Sequence, residues 1–266
     1  MGAGEELTRA ALAGGLTGGM FTPERYHFHP VLDSTNREAM ALAQAGAPEG
    51  TVVVADGQTR GRGRLGREWE SPRGENLYVS MVLRPAMPVS HAARLTLVAG
   101  LATVEAVAAM GVEGARLKWP NDVLVAGRKL AGILTEMAAD GMRIRHVTVG
   151  VGVNVNGRAA AFSPQVAARA VTMADILHRS CDRGVLLAAL LAGLERWYGL
   201  YAQEGFAPVR RAWKEWALLE GQQARIDTPA GVQEVWLEDL DAEGFLLVRS
   251  QDGERMRVLA GDVVLF

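Results

Sequence analysis

The chain of 266 residues predicts a segregated α+β fold that carries a small all-β domain at its end. Three observations lead there. Runs with strand character cluster before residue 156, and helical periodicity dominates from 164 to 218. From Gly221 the period returns to two, with Gly or Asp turns every eight to twelve residues. The partition expected is a poorly structured lead-in over 1–24, a large domain over 25–219 and a β-barrel over 220–266. So small a barrel is marginal alone and is expected to dock on its neighbour.

In chain order, residues 25–32 predict a first strand, ended by Asp33, Ser34, Thr35 and Asn36, each able to cap a helix over 37–45 that Gly46 closes. The β-branched run 51–55 predicts a buried strand that delivers Asp56, Gly57 and Gln58 into an Arg/Gly-rich loop. Residues 76–83 alternate as a strand. Ser90 is expected to cap a helix running to Met110, with Leu97, Leu101, Val104 and Ala108 on its core side. A short strand over 116–119 ends at Pro120. Asn121 and Asp122 then open a hairpin whose arms are 123–125 and 129–136, joined through Ala126, Gly127 and Arg128. The strand 143–156 contains Gly150 and Gly152, which mark a close approach of its backbone to another group. Helices are expected over 164–177, 185–201 and 206–218, and short barrel strands over 223–227, 232–237, 244–249 and 256–260.

Composition narrows the function classes. With 49% hydrophobic residues the chain can bury a proper core, and a formal charge of −2 gives no global attraction to nucleic acid or an acidic membrane. The single cysteine, Cys181, excludes an internal disulfide and a cysteine-based metal cage, so a reducing cytoplasm is the expected compartment. No run of about eighteen apolar residues free of charge predicts a membrane span. The five histidines, His27, His29, His91, His146 and His178, have no metal-ligand spacing.

Residues 60–69 put Arg60, Arg62, Arg64 and Arg67 among Gly61, Gly63 and Gly66. A backbone that can approach a ligand closely is thus paired with permanent positive charge, which suits phosphate. A mobile, solvated loop of like charges is the plainer alternative. Gly61 to Gly66 also fits the G-x-G-x-x-G pattern of dinucleotide sites, but a turn and a strand follow where that site needs a helix.

Taken together, Asp33-Ser34-Thr35-Asn36, Gln58 with Gly61-Arg62-Gly63-Arg64 and Trp69, Lys118-Trp119-Pro120-Asn121-Asp122, the run from Lys129 to Leu134, and the run from Gly150 to Asn154 resemble the biotin protein ligases. The likeness is dense over 26–156 and architectural beyond. It implies a mixed β-sheet with helices, like that of class II synthetases, and a C-terminal SH3-like barrel. The implied reaction has two halves. The carboxylate of biotin attacks the α-phosphate of ATP to give biotinyl-5′-adenylate, and a lysine of a biotin carboxyl carrier protein then takes the biotinyl group. Lys129 matches the family's lysine between carboxylate and α-phosphate, whereas Lys118 is a secondary phosphate or structural lysine. Arg62, Arg64 and Arg67 would close over the nucleotide. Ser34, Thr35, Asn36 and Gln58, with the backbone of Gly61, Arg62 and Gly63, match the biotin-binding positions, and Gly132, Gly150 and Gly152 leave room for its rings. Asn121 matches a contact on the triphosphate and Mg²⁺ side, and Asn154 one on the adenine side. Trp69 either covers the adenylate or anchors the loop. Asp122 either orients or deprotonates the acceptor lysine, or simply supports the hairpin.

The resemblance further implies ATP and biotin as substrates, Mg²⁺ arriving with ATP and no dedicated metal site. No nucleic-acid or membrane partner is expected, and the chain would be a monomer or homodimer. Too few residues precede Tyr26 for the family's optional DNA-binding domain, so the ligase-only group is expected. A lipoate or octanoate ligase or transferase of the same superfamily is the alternative, and a non-catalytic nucleic-acid-binding protein is a rival of another class. The loop is expected to be mobile without ligand and to order on binding.

Overall fold

The computed structural model describes residue 7 and residues 19–219, 221–228 and 231–266. Most of the lead-in expected over 1–24 lies outside the described residues. Two of its residues correct the expectation, because Leu7 and Phe21 are buried in the main core and the carbonyl of Leu7 accepts from Tyr26 Oη at 2.9 Å.

Strands β1 (Tyr26–His29), β2 (Val52–Ala55), β3 (Leu77–Leu83), β4 (Ala115–Lys118), β5 (Asp122–Val125), β6 (Arg128–Asp140) and β7 (Arg143–Val153) form one seven-stranded sheet. Its order is β1-β2-β3-β7-β6-β5-β4, with β1 parallel to β2 and the remaining pairs antiparallel. The sheet is therefore mixed, as expected. Both its faces are covered near the centre, which is why β2 and β3 are buried at every position and are apolar almost throughout.

The helices are α1 (Thr35–Gln44), α2 (Arg94–Ala109), α3 (Pro164–Ala167), α4 (Met173–Leu177), α5 (Arg183–Glu204) and α6 (Phe206–Trp216). Alternation along β7 sorts them into two layers. Val147, Val149, Val151 and Val153 join the main apolar cluster with Leu97, Leu101 and Val104 of α2 and Leu187, Leu190 and Leu194 of α5. On the other face Ala39 and Ala43 of α1 pack on Val53 and Val82. α2 with its leading turn, and α5 by itself, are long and apolar enough to cross a bilayer, but both lie in the layer that covers the sheet.

Several boundaries differ from the expectation. Ser90 does not cap α2. It sits in a 3₁₀ turn, and the helix begins after Ala93 with no side-chain cap. The helix expected over 164–177 is two short helices, because residues 169–171 leave helical geometry to pair with Lys129. Ser34 precedes α1 without a side-chain capping bond, which leaves its hydroxyl outside the helix's own hydrogen bonding.

The C-terminal sheet contains β8 (Gln223–Thr228), β9 (Gly231–Leu240), β10 (Leu246–Ser250), β11 (Arg255–Val258) and β12 (Asp262–Leu265), in the order β11-β10-β9-β8-β12 and antiparallel throughout. The strand β12, which periodicity alone did not reveal, closes against β8. Val235, Leu237, Leu246, Val248 and Val263 belong to the same apolar cluster as the main sheet, so the small domain is docked as expected. Polar contacts pin it further: Trp119 Nε1 donates to Gly244 O at 3.1 Å and Arg210 Nε to Leu240 O at 2.6 Å.

Candidate active site

One cavity of about 50 Å³ gathers most of the residues singled out by sequence. Its floor is made of strand backbone. Gly132 on β6 lies opposite Gly152 on β7, and Gly150 lies between Leu134 and Ser80. A methyl group on Gly150 would overlap the carboxamide of Asn36, and one on Gly152 would stand 2.6 Å from the indole of Trp69. These are the close approaches that the two glycines foretold. Changing Gly152 to Ala is expected to push the indole off the floor and weaken ligand binding about tenfold or more, since overpacking costs roughly 1–3 kcal/mol. Ligand titration by calorimetry checks this, and unchanged affinity would remove Gly152 from the site.

The hairpin that presents Lys129 is built for the purpose. Ala126 and Gly127, at φ 48° and 74°, make a two-residue turn between β5 and β6. One extra residue is then inserted in β6, because Val123 pairs with Ala131 but Leu124 pairs with Lys129. This bulge lets Leu130 and Ala131 both enter the core while Lys129 shares the cavity face with Gly132, three positions away. The Lys129 backbone is fixed from the far side as well. Its N–H donates to Arg169 O at 2.6 Å, and its carbonyl accepts from Val171 N at 3.0 Å and Asn154 Nδ2 at 3.3 Å. That fixation is the physical reason for the break between α3 and α4.

The Lys129 ammonium lies 2.6 Å from Asp122 Oδ1 and 5.4 Å from the centre of the Trp69 ring. Asp122 Oδ2 meets Lys118 Nζ at 2.9 Å, and Lys118 also donates to Val263 O of the small domain at 3.0 Å. Burial works against the Asp122 charge, but the two ammonium groups beside it win and hold its carboxyl below the ordinary carboxylate range. Lys118 is thus a structural tie that joins Asp122 to the barrel.

Residues 57–73 form a closed loop with its own hairpin. Trp69 N donates to Gly61 O at 3.0 Å and Gly63 N to Arg67 O at 2.7 Å, around a turn at Leu65 and Gly66 with φ of 56° and 73°. Three of its arginines, Arg62, Arg64 and Arg67, have separate partners. Arg62 forks onto Glu136, at 2.9 Å from Oε1 and 3.2 Å from Oε2. Arg64 reaches Asn121 Oδ1 at 3.1 Å and Gly261 O at 3.5 Å, and Arg67 pairs with Asp262 at 2.5 Å. Burial pulls the Arg64 guanidinium down, and Asp262 and Asp122 partly restore it.

A polar chain runs beneath the cavity. Gln58 Oε1 accepts from Thr35 N at 2.8 Å and Thr35 Oγ1 at 3.2 Å, and Gln58 Nε2 donates to Ser71 Oγ at 2.9 Å. Ser80 Oγ lies 2.8 Å from Thr35 Oγ1 and donates to Asn36 Oδ1 at 2.6 Å, while Asn36 Nδ2 donates to Glu136 Oε2 at 3.0 Å. The indole Nε1 of Trp69 is buried and finds no acceptor among the described residues.

Ser34, Thr35, Asn36, Gln58, Arg62, Gly63, Arg64, Trp69, Asn121, Lys129, Gly132, Gly150 and Gly152 all line the cavity. Four expected residues stand behind that lining. Gly61 supplies the carbonyl that holds Trp69, Asp122 acts on Lys129, Arg67 is held by Asp262, and the Asn154 carboxamide is committed to Lys129 O and Val171 O. Sequence reasoning missed Tyr78, Ser80, Glu136 and Asp262. The signal for Ser80 was present, as the one serine in a run over 77–83 that is otherwise apolar apart from the Tyr78 hydroxyl, and the signal for Glu136 was an acid on the cavity strand. Lys118, Lys129, Arg62, Arg64 and Arg67 outnumber the carboxylates of Asp122, Glu136 and Asp262, so the site carries an excess of positive charge. It can hold two anionic groups near one ammonium.

The sequence pattern of the "Biotin/lipoate A/B protein ligase family" matches residues 28–154. The chain is 37% identical over 239 residues to the bifunctional ligase/repressor BirA of Bacillus subtilis, covering 90% of this chain and 73% of that one. It is 37% identical over 228 residues to the biotin–[acetyl-CoA-carboxylase] ligase of Paracoccus denitrificans, covering 84% of this chain and 94% of that one. Its fold is similar to that of the biotin protein ligase of Aquifex aeolicus in complex with biotin and ATP, with a TM-score of 0.77, 29% identity and coverage of 91% of this chain and 98% of that chain.

Proposed function

The chain belongs to the biotin/lipoate A/B protein ligase family, and from that premise we infer that it is a biotin–protein ligase, which uses ATP to attach biotin to a protein. The observation that carries the reading is the meeting of Lys129 with Arg64 and Asn121 on one cavity. Two negatively charged reactants, a carboxylate and a triphosphate, repel each other, and charge grows on the phosphorus oxygens as they react. Lys129, oriented by Asp122, supplies a fixed ammonium where the two would meet. Arg64 offers a planar fork suited to phosphate oxygens, and Mg²⁺ would arrive with the nucleotide.

Ser34, Thr35 and Gln58 offer hydroxyl and carboxamide groups to the ureido ring, and the glycine floor gives room for flat rings. Asp122 suits orientation better than proton removal, since a carboxyl held low by two ammoniums is a weak base. In the second half-reaction a lysine of a biotin carboxyl carrier protein would attack the mixed anhydride, with AMP leaving. Incubation with biotin, Mg-ATP and a carrier domain should yield pyrophosphate and a biotinylated lysine. Turnover with lipoate and not biotin would reverse the substrate assignment.

Arg64 makes a separate prediction. Substituting Ala is expected to release the adenylate about 10–100 times faster, the equivalent of one lost charge-assisted hydrogen bond. Reactive anhydride would then label bystander lysines on an unrelated protein added to the mixture. Labelling no greater than with the unaltered chain would show that Arg64 does not retain the intermediate.

A further inference from the structure

We propose that Arg62 is the anchor of the arginine loop and not a phosphate ligand, with Glu136 as the positioning residue that receives it. Three observations converge on Glu136. Its carboxylate takes both terminal nitrogens of Arg62, at 2.9 and 3.2 Å. The same carboxylate accepts from Asn36 Nδ2, and Asn36 in turn sits on Gly150 and takes the Ser80 hydroxyl. From Ser80 the chain of contacts passes through Thr35 and Gln58 to Ser71, whose hydroxyl donates to Trp69 O at 2.8 Å. Both arms of the loop hairpin, at 62 and at 69–71, are therefore tied to one polar network under the cavity floor.

The consequence is a division of labour among three guanidiniums that look equivalent in sequence. Arg62 is neutralised by a fork onto a carboxylate, and Arg67 is paired with Asp262. Among the described residues Arg64 has only neutral oxygens as direct hydrogen-bond partners while it lines the cavity, so of the three it is the one free to meet phosphate. A ligand that bonds Thr35 or Gln58 also changes the polarisation and placement of Asn36 and Glu136, which couples filling of the floor to closure of the loop. This rests on reading the cavity as the biotin and ATP site, but the anchoring itself concerns the free chain.

The test is hydrogen exchange across residues 60–69 in the full chain, without ligand and with biotin. In Glu136→Gln and in Arg62→Ala the ligand-free exchange should accelerate about tenfold or more, the loss of a charged fork. The double variant should add little to either single, because both remove the same contact. Exchange in Glu136→Gln that matches the unaltered chain, or a double variant equal to the product of the singles, overturns the proposal. Amides of β2 serve as a folding control, and if Glu136→Gln fails to fold, Arg62→Gln carries the same comparison. In steady state, Glu136→Gln should raise KM for biotin about tenfold with a smaller change in kcat, and the exchanged pair Arg62→Glu with Glu136→Arg should recover part of it. An equal loss in kcat, with no recovery by exchange, would assign Glu136 to general stability. Biotin that protects no variant, the unaltered chain included, would defeat the substrate reading while the ligand-free exchange still decides the anchor.

Discussion

Replacing Lys129 with Ala is expected to lower the rate of adenylate formation about a thousandfold, measured as pyrophosphate released from biotin and ATP. Removing one preorganised donor from a reacting centre costs roughly 10²–10³ in rate, and here the same change removes the charge that offsets repulsion between the reactants. The fold should survive, because Asp122 keeps Lys118 as a partner at 2.9 Å and the core residues Leu130 and Ala131 beside it are untouched. Lys129→Arg should not rescue fully, since a planar fork cannot occupy the position of a point charge packed against Gly132. Adenylate formed at the normal rate by the Ala variant would end the assignment of Lys129. Lys118→Ala gives the contrast: a tie between β4 and the small domain is lost, so stability should fall more than chemistry.

The second large effect belongs to stability. Arg183 at the start of α5 is fully buried, and its guanidinium meets Asp56 Oδ1 at 2.9 Å and Asn76 O at 3.1 Å. Asp56 also takes Arg73 at 3.1 Å, and its carbonyl accepts from Gly74 N, so the base of the loop hangs from this one residue. Substituting Arg183 with Met leaves a nearly buried carboxylate whose one remaining ion-pair partner among the described residues, Arg73, is largely exposed. A loss of about 3–5 kcal/mol is expected, as for other broken buried pairs. Urea denaturation checks this. Changing Asp56 to Asn together with Arg183 to Met should cost less than the sum of the two, because the double variant strands neither of the buried charges. A loss below about 1 kcal/mol for Arg183→Met would mean that the pair contributes little beyond what its desolvation costs.

Much of this was legible in the residues because the signals were local. The turn at Ala126 and Gly127, the β-branched run of β2 and the paired glycines of β7 each act through their own neighbours, and each appeared where expected. What escaped was set at long range. The break between α3 and α4 exists because residues 169–171 pair with Lys129, some forty positions back, and no helical periodicity reports that. Ser90 has the right chemistry for a cap but lies one turn too early, in a 3₁₀ segment. The loop arginines read as a single basic device, and only the positions of Glu136, Asn121 and Asp262 separate them. The bulge at Leu130 could not be read either, because consecutive buried residues fit a regular strand covered on both sides as well as a distorted one.

The placement of Trp69 has a practical consequence. It is one of six tryptophans, and its indole rests on the glycine floor with an ammonium near its face and an N–H that has no acceptor among the described residues. A reactant that drew the Lys129 amine away, or offered the ring nitrogen an acceptor, would alter the emission of that one fluorophore. The molecule thus contains its own optical probe, and stopped-flow mixing could follow arrival of the first reactant without any added dye.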